Sequence, residues 1–339
     1  MVHLSGAMMA VIGLMRRIGM VAALLLAPAT LAQDSGYQPP RHAAPPPFLQ
    51  QLSASDVIRY ADAGIQIEHD HPAAWSLAEH RRLERALAGL QPQRKGVVDA
   101  YVVAVALDSD PNFGKEAREA ARVLARRYDA AGHTIVLAGS DGTRDSDLPM
   151  GSPDNLSAAL ARVAELMDHD EDVLVLYTTS HGAPLGIVYN DADQGYGVIS
   201  PNRLAAELDG LGIKRRVVIL SACFAGVFVP VLASDDTAVL TAASSDRTSF
   251  GCQADADWTF FGDALVNHAL RKAQPLDAAA REAAGLIQGW EAQGKLTPSQ
   301  PQTSIGSGAA RWLATLDART PRATTPSVGR PAVTLLEGR

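Results

Sequence analysis

Two stretches decide the fold: DVLVLYTTSHG at residues 172–182 and RVVILSACFAG at residues 216–226. Each begins as a continuous apolar run rich in Val, Leu and Ile, with no polar alternation. That pattern marks a strand covered on both faces, as in a parallel sheet. Each ends in a short turn that contains a glycine. Further runs of the same kind lie at YVVAVAL (101–107), TIVLAG (134–139) and AVLTAAS (238–244).

Amphipathic segments separate these runs. Ala117, Ala120, Ala121, Leu124, Ala125 and Tyr128 fall on one stripe of a helix over 115–130. Ser152-Pro153 and Ser200-Pro201 pair an N-cap residue with a proline suited to the first helical position. Beyond them Leu156, Leu160, Val163, Ala164 and Met167 line one helix, and Leu204, Leu208 and Leu211 another. Two more helices are expected near 258–271 and 276–293. Strands that alternate with helices predict an α/β fold, a doubly wound and mainly parallel sheet of about six strands flanked by helices. There is no internal repeat.

Composition narrows the function. Of 339 residues, 47% are hydrophobic and only 5% aromatic, so the core is built chiefly from Ala, Val and Leu. The net charge of -7 comes with no basic face, which argues against a nucleic-acid partner. Arg16 and Arg17, an apolar run from Ile18 to about Ala27, and small residues up to Ala32 read as a secretory signal peptide over 1–32. The run is short for a bilayer span, so no stable membrane anchor is expected and the chain should be periplasmic or secreted. Residues 33–47 form a Pro-rich linker, 48–95 an N-terminal helical segment, 96–318 the main domain, and 319–339 a disordered tail. Glu68, His69, Asp70 and His71 put four metal-ligating types side by side. Adjacent ligands without a distant partner usually form only a polar loop, so no metal site is expected there.

The chemistry concentrates where the two opening stretches end. Active groups in a doubly wound sheet gather at the carboxyl ends of its strands. If the two strands are neighbours, about 4.8 Å apart, His181 and Cys223 share one rim. An imidazole there can take the thiol proton and later deliver it to a leaving amine. The amides of Gly182 and Cys223 are candidates for an oxyanion hole; a side chain at 182 would crowd the substrate carbonyl. After the first strand come Asp108-Ser109-Asp110-Pro111-Asn112, which is no glycine-rich phosphate loop.

At these residues the chain resembles the legumain family of cysteine peptidases in the caspase-like clan, and its bacterial branch most of all. The resemblance covers about 95–315 and rests on strand-then-SHG at 173–182, strand-then-AC-x-x-G at 217–226, SFGC at 249–252, DWTFFGD at 257–263 and PSQPQ at 298–302. It implies a caspase-like sandwich, a Cys223–His181 dyad without cofactor, a thioester intermediate, and peptide or protein substrates cut as by an endopeptidase. Family members also include peptide-binding or transamidase-type proteins, so acyl transfer is the alternative. Asp263, Thr248 and Ser249 match substrate-pocket positions. Ser221 stands where relatives that prefer Asn carry an acid, and the region where they carry an Arg-His pair reads Asn112-Phe113-Gly114-Lys115-Glu116. Asp263 could favour a basic side chain or could simply open a helix. Cys252 matches a family cysteine; a free buried thiol is expected there, since a Cys223–Cys252 disulfide would block the reaction.

Overall fold

The computed structural model describes residues 52–139 and 146–337. The expected signal peptide and linker lie outside them. The apolar runs form β2 (Ala100–Ala106), β3 (Thr134–Leu137), β4 (Val173–Thr179), β8 (Arg216–Ser221) and β9 (Thr237–Thr241). All five pair in parallel, and β10 (Gln302–Ile305) closes the β9 edge antiparallel, so the sheet order is β10-β9-β8-β4-β2-β3. The expected mainly parallel α/β sheet of six strands is therefore present.

Alternation within each strand divides the core in two. Val102, Ala104, Val175, Tyr177, Val217 and Ile219 face one side, under α3 (Pro111–Arg127), α7 (Leu276–Gln293) and α8 (Ser307–Asp317). Tyr101, Val103, Val105, Leu174, Leu176 and Val218 face the other, under α4 (Pro153–Leu166) and α5 (Pro201–Gly210). Every residue of β2 and β4 is buried, which is why neither strand shows polar alternation. The two serine caps form as expected: Ser152 accepts from the Asn155 amide and Ser200 from the Arg203 amide.

The N-terminal segment holds α1 (Ala54–Asp62) and α2 (Ala73–Ala88), with a short strand β1 (Ile67–Glu68) between them. Trp75, Leu83 and Leu87 of α2 pack on the second core face, so this segment is an added layer of the fold. β1 belongs to a small antiparallel sheet of order β1-β7-β6-β5, with β5 (Gly182–Ala183), β6 (Gly186–Asp191) and β7 (Gly195–Ile199). The β6–β7 turn has Ala192 and Asp193 at φ 51° and 59°. Two left-handed residues suit the twist of a hairpin, but alanine there carries no glycine or asparagine signature, and the sequence reading did not anticipate this sheet.

Two other expectations change. The helix expected near 258–271 is present but with other winding: it is a π-helix over Gly262–His268, the π-type turn, followed by a 3-10 turn over Ala269–Arg271. The tail expected to be disordered is held through residue 337. Trp258 Nε1 and Asn267 Nδ2 donate to the Val328 carbonyl at 2.8 and 3.0 Å, and the Ala332 amide donates to Asp263 Oδ2 at 2.7 Å. Its polar composition hid a backbone that pairs with buried side chains. No helix of the described residues is long and apolar enough to cross a membrane.

Candidate active site

β4 and β8 are immediate neighbours, and Thr179 pairs with Ser221 at their carboxyl ends. The Ser180 amide then donates to the Ser221 carbonyl at 3.2 Å, so the two chains leave the sheet side by side. His181 and Cys223 each lie two residues beyond that last register pair. A Cβ added to Gly182 would stand 1.9 Å from the Cys223 carbonyl oxygen. The glycine is thus required by the 223 peptide. Gly226 is required likewise, since a Cβ there would lie 2.4 Å from the Ser245 amide nitrogen.

Cys223 occupies the turn between β8 and a 3-10 turn over Ala225–Phe228. The next residue, Phe224, has φ 57°, a left-handed conformation that costs a non-glycine residue energy and is common beside reactive groups. Its amide is fixed to the Arg247 carbonyl at 2.8 Å. The Cys223 sulfur receives the Ser249 amide at 3.2 Å and lies 3.5 Å from the Ser249 hydroxyl oxygen. Neither cysteine is in a disulfide. The Cys252 thiol donates to the Cys223 sulfur, and this bond leads the causes that bring Cys223 down to about 6; Ser249 and the nearby His181 act in the same direction and burial opposes them. Donating that proton, together with burial, pushes Cys252 well above its ordinary range. The arrangement favours one thiolate and one thiol.

The His181 ring is 40% exposed, with Nε2 3.7 Å from Asp110 Oδ2. Phe113 meets its face edge-on at a centroid distance of 5.1 Å. Asp108, Asp110 and His181 each bring a possible metal-ligating atom within 4.8 Å of the others. The Asp110 carboxylate was missed in sequence although its signal was available: it follows the first strand of the sheet at the end where active groups collect.

Ser221 turns inward. Its hydroxyl donates to Glu116 Oε1 at 2.7 Å, as do Tyr177 and Thr179 at 2.7 and 2.8 Å, while Glu116 Oε2 accepts the Thr259 amide at 2.9 Å. Glu116 is fully buried. A buried carboxylate, carried by α3, therefore lies beneath Ser221. Thr248 is exposed on the loop that carries Ser249. Asp263 is not brought to the rim. It is fully buried in the π-type turn, where Asn267 Nδ2 and the Ala332 amide both donate to it at 2.7 Å. Its charge serves the tail, which removes the reason for expecting it to select a basic side chain.

Residues 150–290 match the Peptidase C13 family, over a stretch that holds His181, Gly182, Ser221, Cys223, Thr248, Ser249 and Asp263. This bears out the resemblance to legumain-type cysteine peptidases. Among solved structures, caspase-1 from Spodoptera frugiperda is similar with 13% identity over 63% of this chain and 92% of that chain, at a TM-score of 0.40. No curated protein matches the chain.

Proposed function

We propose that this chain is a cysteine endopeptidase that uses Cys223 as nucleophile and His181 as general base and acid. The observation that carries this reading is the pairing of Thr179 with Ser221, which puts positions 181 and 223 just past the same ends of adjacent strands. The lowered Cys223 thiol supports it, because the thiolate is the attacking form. The C13 match supports peptidase chemistry of the cysteine type.

In the proposed cycle the Cys223 sulfur attacks the scissile carbonyl carbon, and the thiol proton resides on His181. The carbonyl oxygen becomes an oxyanion facing the Gly182 and Cys223 amides. As the C–N bond breaks, His181 returns the proton to the leaving amine and a thioester remains. Water then attacks, gives a proton to His181, and the acid departs as the thiol is restored. Asp110 orients His181 through Nε2, which leaves Nδ1 to exchange the proton with sulfur. Ser249, whose hydroxyl oxygen lies 3.5 Å from the sulfur, and Thr248 on the same loop are the groups offered for substrate selection, while Ser221 is buried beneath them. Export through residues 1–32 is part of the same reading and is checked by the mass of the mature N-terminus.

The experiment is labelling with an electrophilic peptide probe, followed by cleavage of a diverse peptide pool read by mass spectrometry. Cys223→Ala should abolish both label and cleavage, and Cys252→Ala should retain label. Equal labelling of the two variants would sink the proposal.

A further inference from the structure

The structure brings Glu68 and His71 together with Asp191, a residue 120 positions beyond His71. Of the four contiguous ligand-type residues, His69 and Asp70 turn elsewhere: His69 Nδ1 pairs with Asp70 Oδ2 at 2.8 Å, and its ring stacks on Tyr196 at 5.9 Å. Asp70 adopts φ 62° between Glu68 and His71, whose Oε2 and Nε2 come within 3.3 Å of each other. Asp191 ends β6 and arrives from the small sheet, next to the β6–β7 turn.

We infer that Glu68, His71 and Asp191 form a divalent transition-metal site, with zinc as the best-matched ion. His71 Nε2 lies 3.3 Å from Glu68 Oε2 and 3.3 Å from Asp191 Oδ2. Ligand atoms about 2.0–2.1 Å from a tetrahedral zinc stand about 3.3 Å from one another. All three donor atoms lie within 4.8 Å of one another. The independent sign is the imidazole itself. The His71 side chain is only 9% exposed, and its Nε2 is buried without a hydrogen bond although it aims between two carboxylates. The nitrogen stands at ion-pair distance from both carboxylates yet makes a hydrogen bond to neither, which is the position of a ligand to an ion held between them.

The surroundings are those of a built site. Tyr189 and Gln66 donate to Glu68 Oε1 at 2.6 and 2.7 Å, which turns Oε2 toward His71. His71 stacks on Trp75 at 3.7 Å with the rings 7° from parallel, so the imidazole is held in place. A hollow of about 440 Å³, lined by Glu68, His71, Trp75, Ser76 and Ser152 among others, leaves room for a water as the fourth ligand. One nitrogen and two carboxylate oxygens suit zinc or its neighbours better than calcium, which takes six to eight oxygens. The ion would fasten β1 to the hairpin that starts beside Gly182, and so brace the rim from outside.

The test titrates zinc into the metal-free full chain carrying Cys223→Ala, which removes the nucleophile as a competing ligand, and reads stoichiometry by calorimetry and the ligand shell by X-ray absorption. One equivalent with a shell of nitrogen and oxygen only is expected. His71→Ala and Asp191→Asn should each weaken binding more than tenfold, and Tyr189→Phe, which frees Glu68, by about tenfold. Circular dichroism of the metal-free variants reports folding; where His71→Ala does not fold, Asp191→Asn decides, because the cluster of Asp108, Asp110 and His181 would give the parent the same shell. Absence of binding by the parent, sulfur in the shell, or undiminished binding by folded His71→Ala and Asp191→Asn variants would overturn the inference.

Discussion

At the scale of single residues, the proposed nucleophile Cys223 is governed by a neighbour of its own kind. Two thiols share one proton, and the environment decides which keeps it. Cys223 has the Ser249 amide and the His181 ring beside it, so the charge settles there. Cys252 is more enclosed and keeps the hydrogen. Below about pH 6 the Cys223 sulfur is protonated and slow; above it the thiolate reacts. The rate of alkylation of Cys223 by iodoacetamide should therefore rise through a midpoint near 6, well below the usual thiol value. A hydrogen bond to a charged group is worth about 1.5–3 kcal/mol, so Cys252→Ala should move that midpoint upward by about 1–2 pH units. A midpoint that stays in place would show that Ser249 and His181 alone lower the thiol. The same shift makes a stability statement. A group depressed on folding contributes fully above its unfolded value of 9.0, and that contribution is lost as the pH falls through about 6.

At the scale of elements, α3 does more than cover the sheet. Its Glu116 collects three hydroxyl donors and one amide from β4, β8 and the segment before the π-type turn. The carboxylate thereby ties the ends of the two strands that carry His181 and Cys223. Gly262 is needed beside it, since a Cβ there would lie 2.1 Å from Glu116 Oε2. Glu116→Ala strands Tyr177, Thr179 and Ser221 without their acceptor in a buried place. Urea denaturation should show a loss of at least about 3 kcal/mol, since each buried donor left without an acceptor costs about 1–3 kcal/mol. Glu116→Gln preserves shape and should cost less. Equal costs for the two would mean that only volume matters at 116. Near-neutral behaviour of both would remove the bracing role of α3 altogether.

At the scale of the whole molecule, the C-terminal tail is part of the domain. Val328 exchanges hydrogen bonds with Asn267 at 2.9 and 3.0 Å, Arg271 reaches Thr325 at 3.0 Å, and Ala332 caps the buried Asp263. A chain ending at residue 318 loses these four bonds and the Trp258 contact, and leaves Asp263 without its backbone donor. At about 1 kcal/mol for each hydrogen bond the loss is at least 4 kcal/mol, visible as a lower thermal midpoint. An unchanged midpoint would return the tail to the status of an appendage. Arg127 works to the same end: it is buried, donates to the Gln274 carbonyl at 2.5 Å and to Asp317 Oδ1 at 2.8 Å, and so joins α3 to α8.

What the sequence determined by itself was the parallel sheet and the two residues at its rim. Uninterrupted runs such as VLVLYTT and RVVILS leave no alternative to strands buried on both faces, and the order of strand and helix then sends His181 and Cys223 to one end. These are local signals: the periodicity of burial, serine caps, and the turn residues that follow. Only the tertiary structure decided the partners. Asp110 beside His181, Glu116 beneath Ser221, Cys252 on Cys223 and Asp191 opposite His71 are pairings between distant segments. Asp263, by contrast, was drawn away from the rim by a tail that composition marked as loose. Neither outcome is written in spacing, because a buried polar group takes whichever donor or acceptor the folded backbone carries to it, and that choice exists only after the sheet has closed.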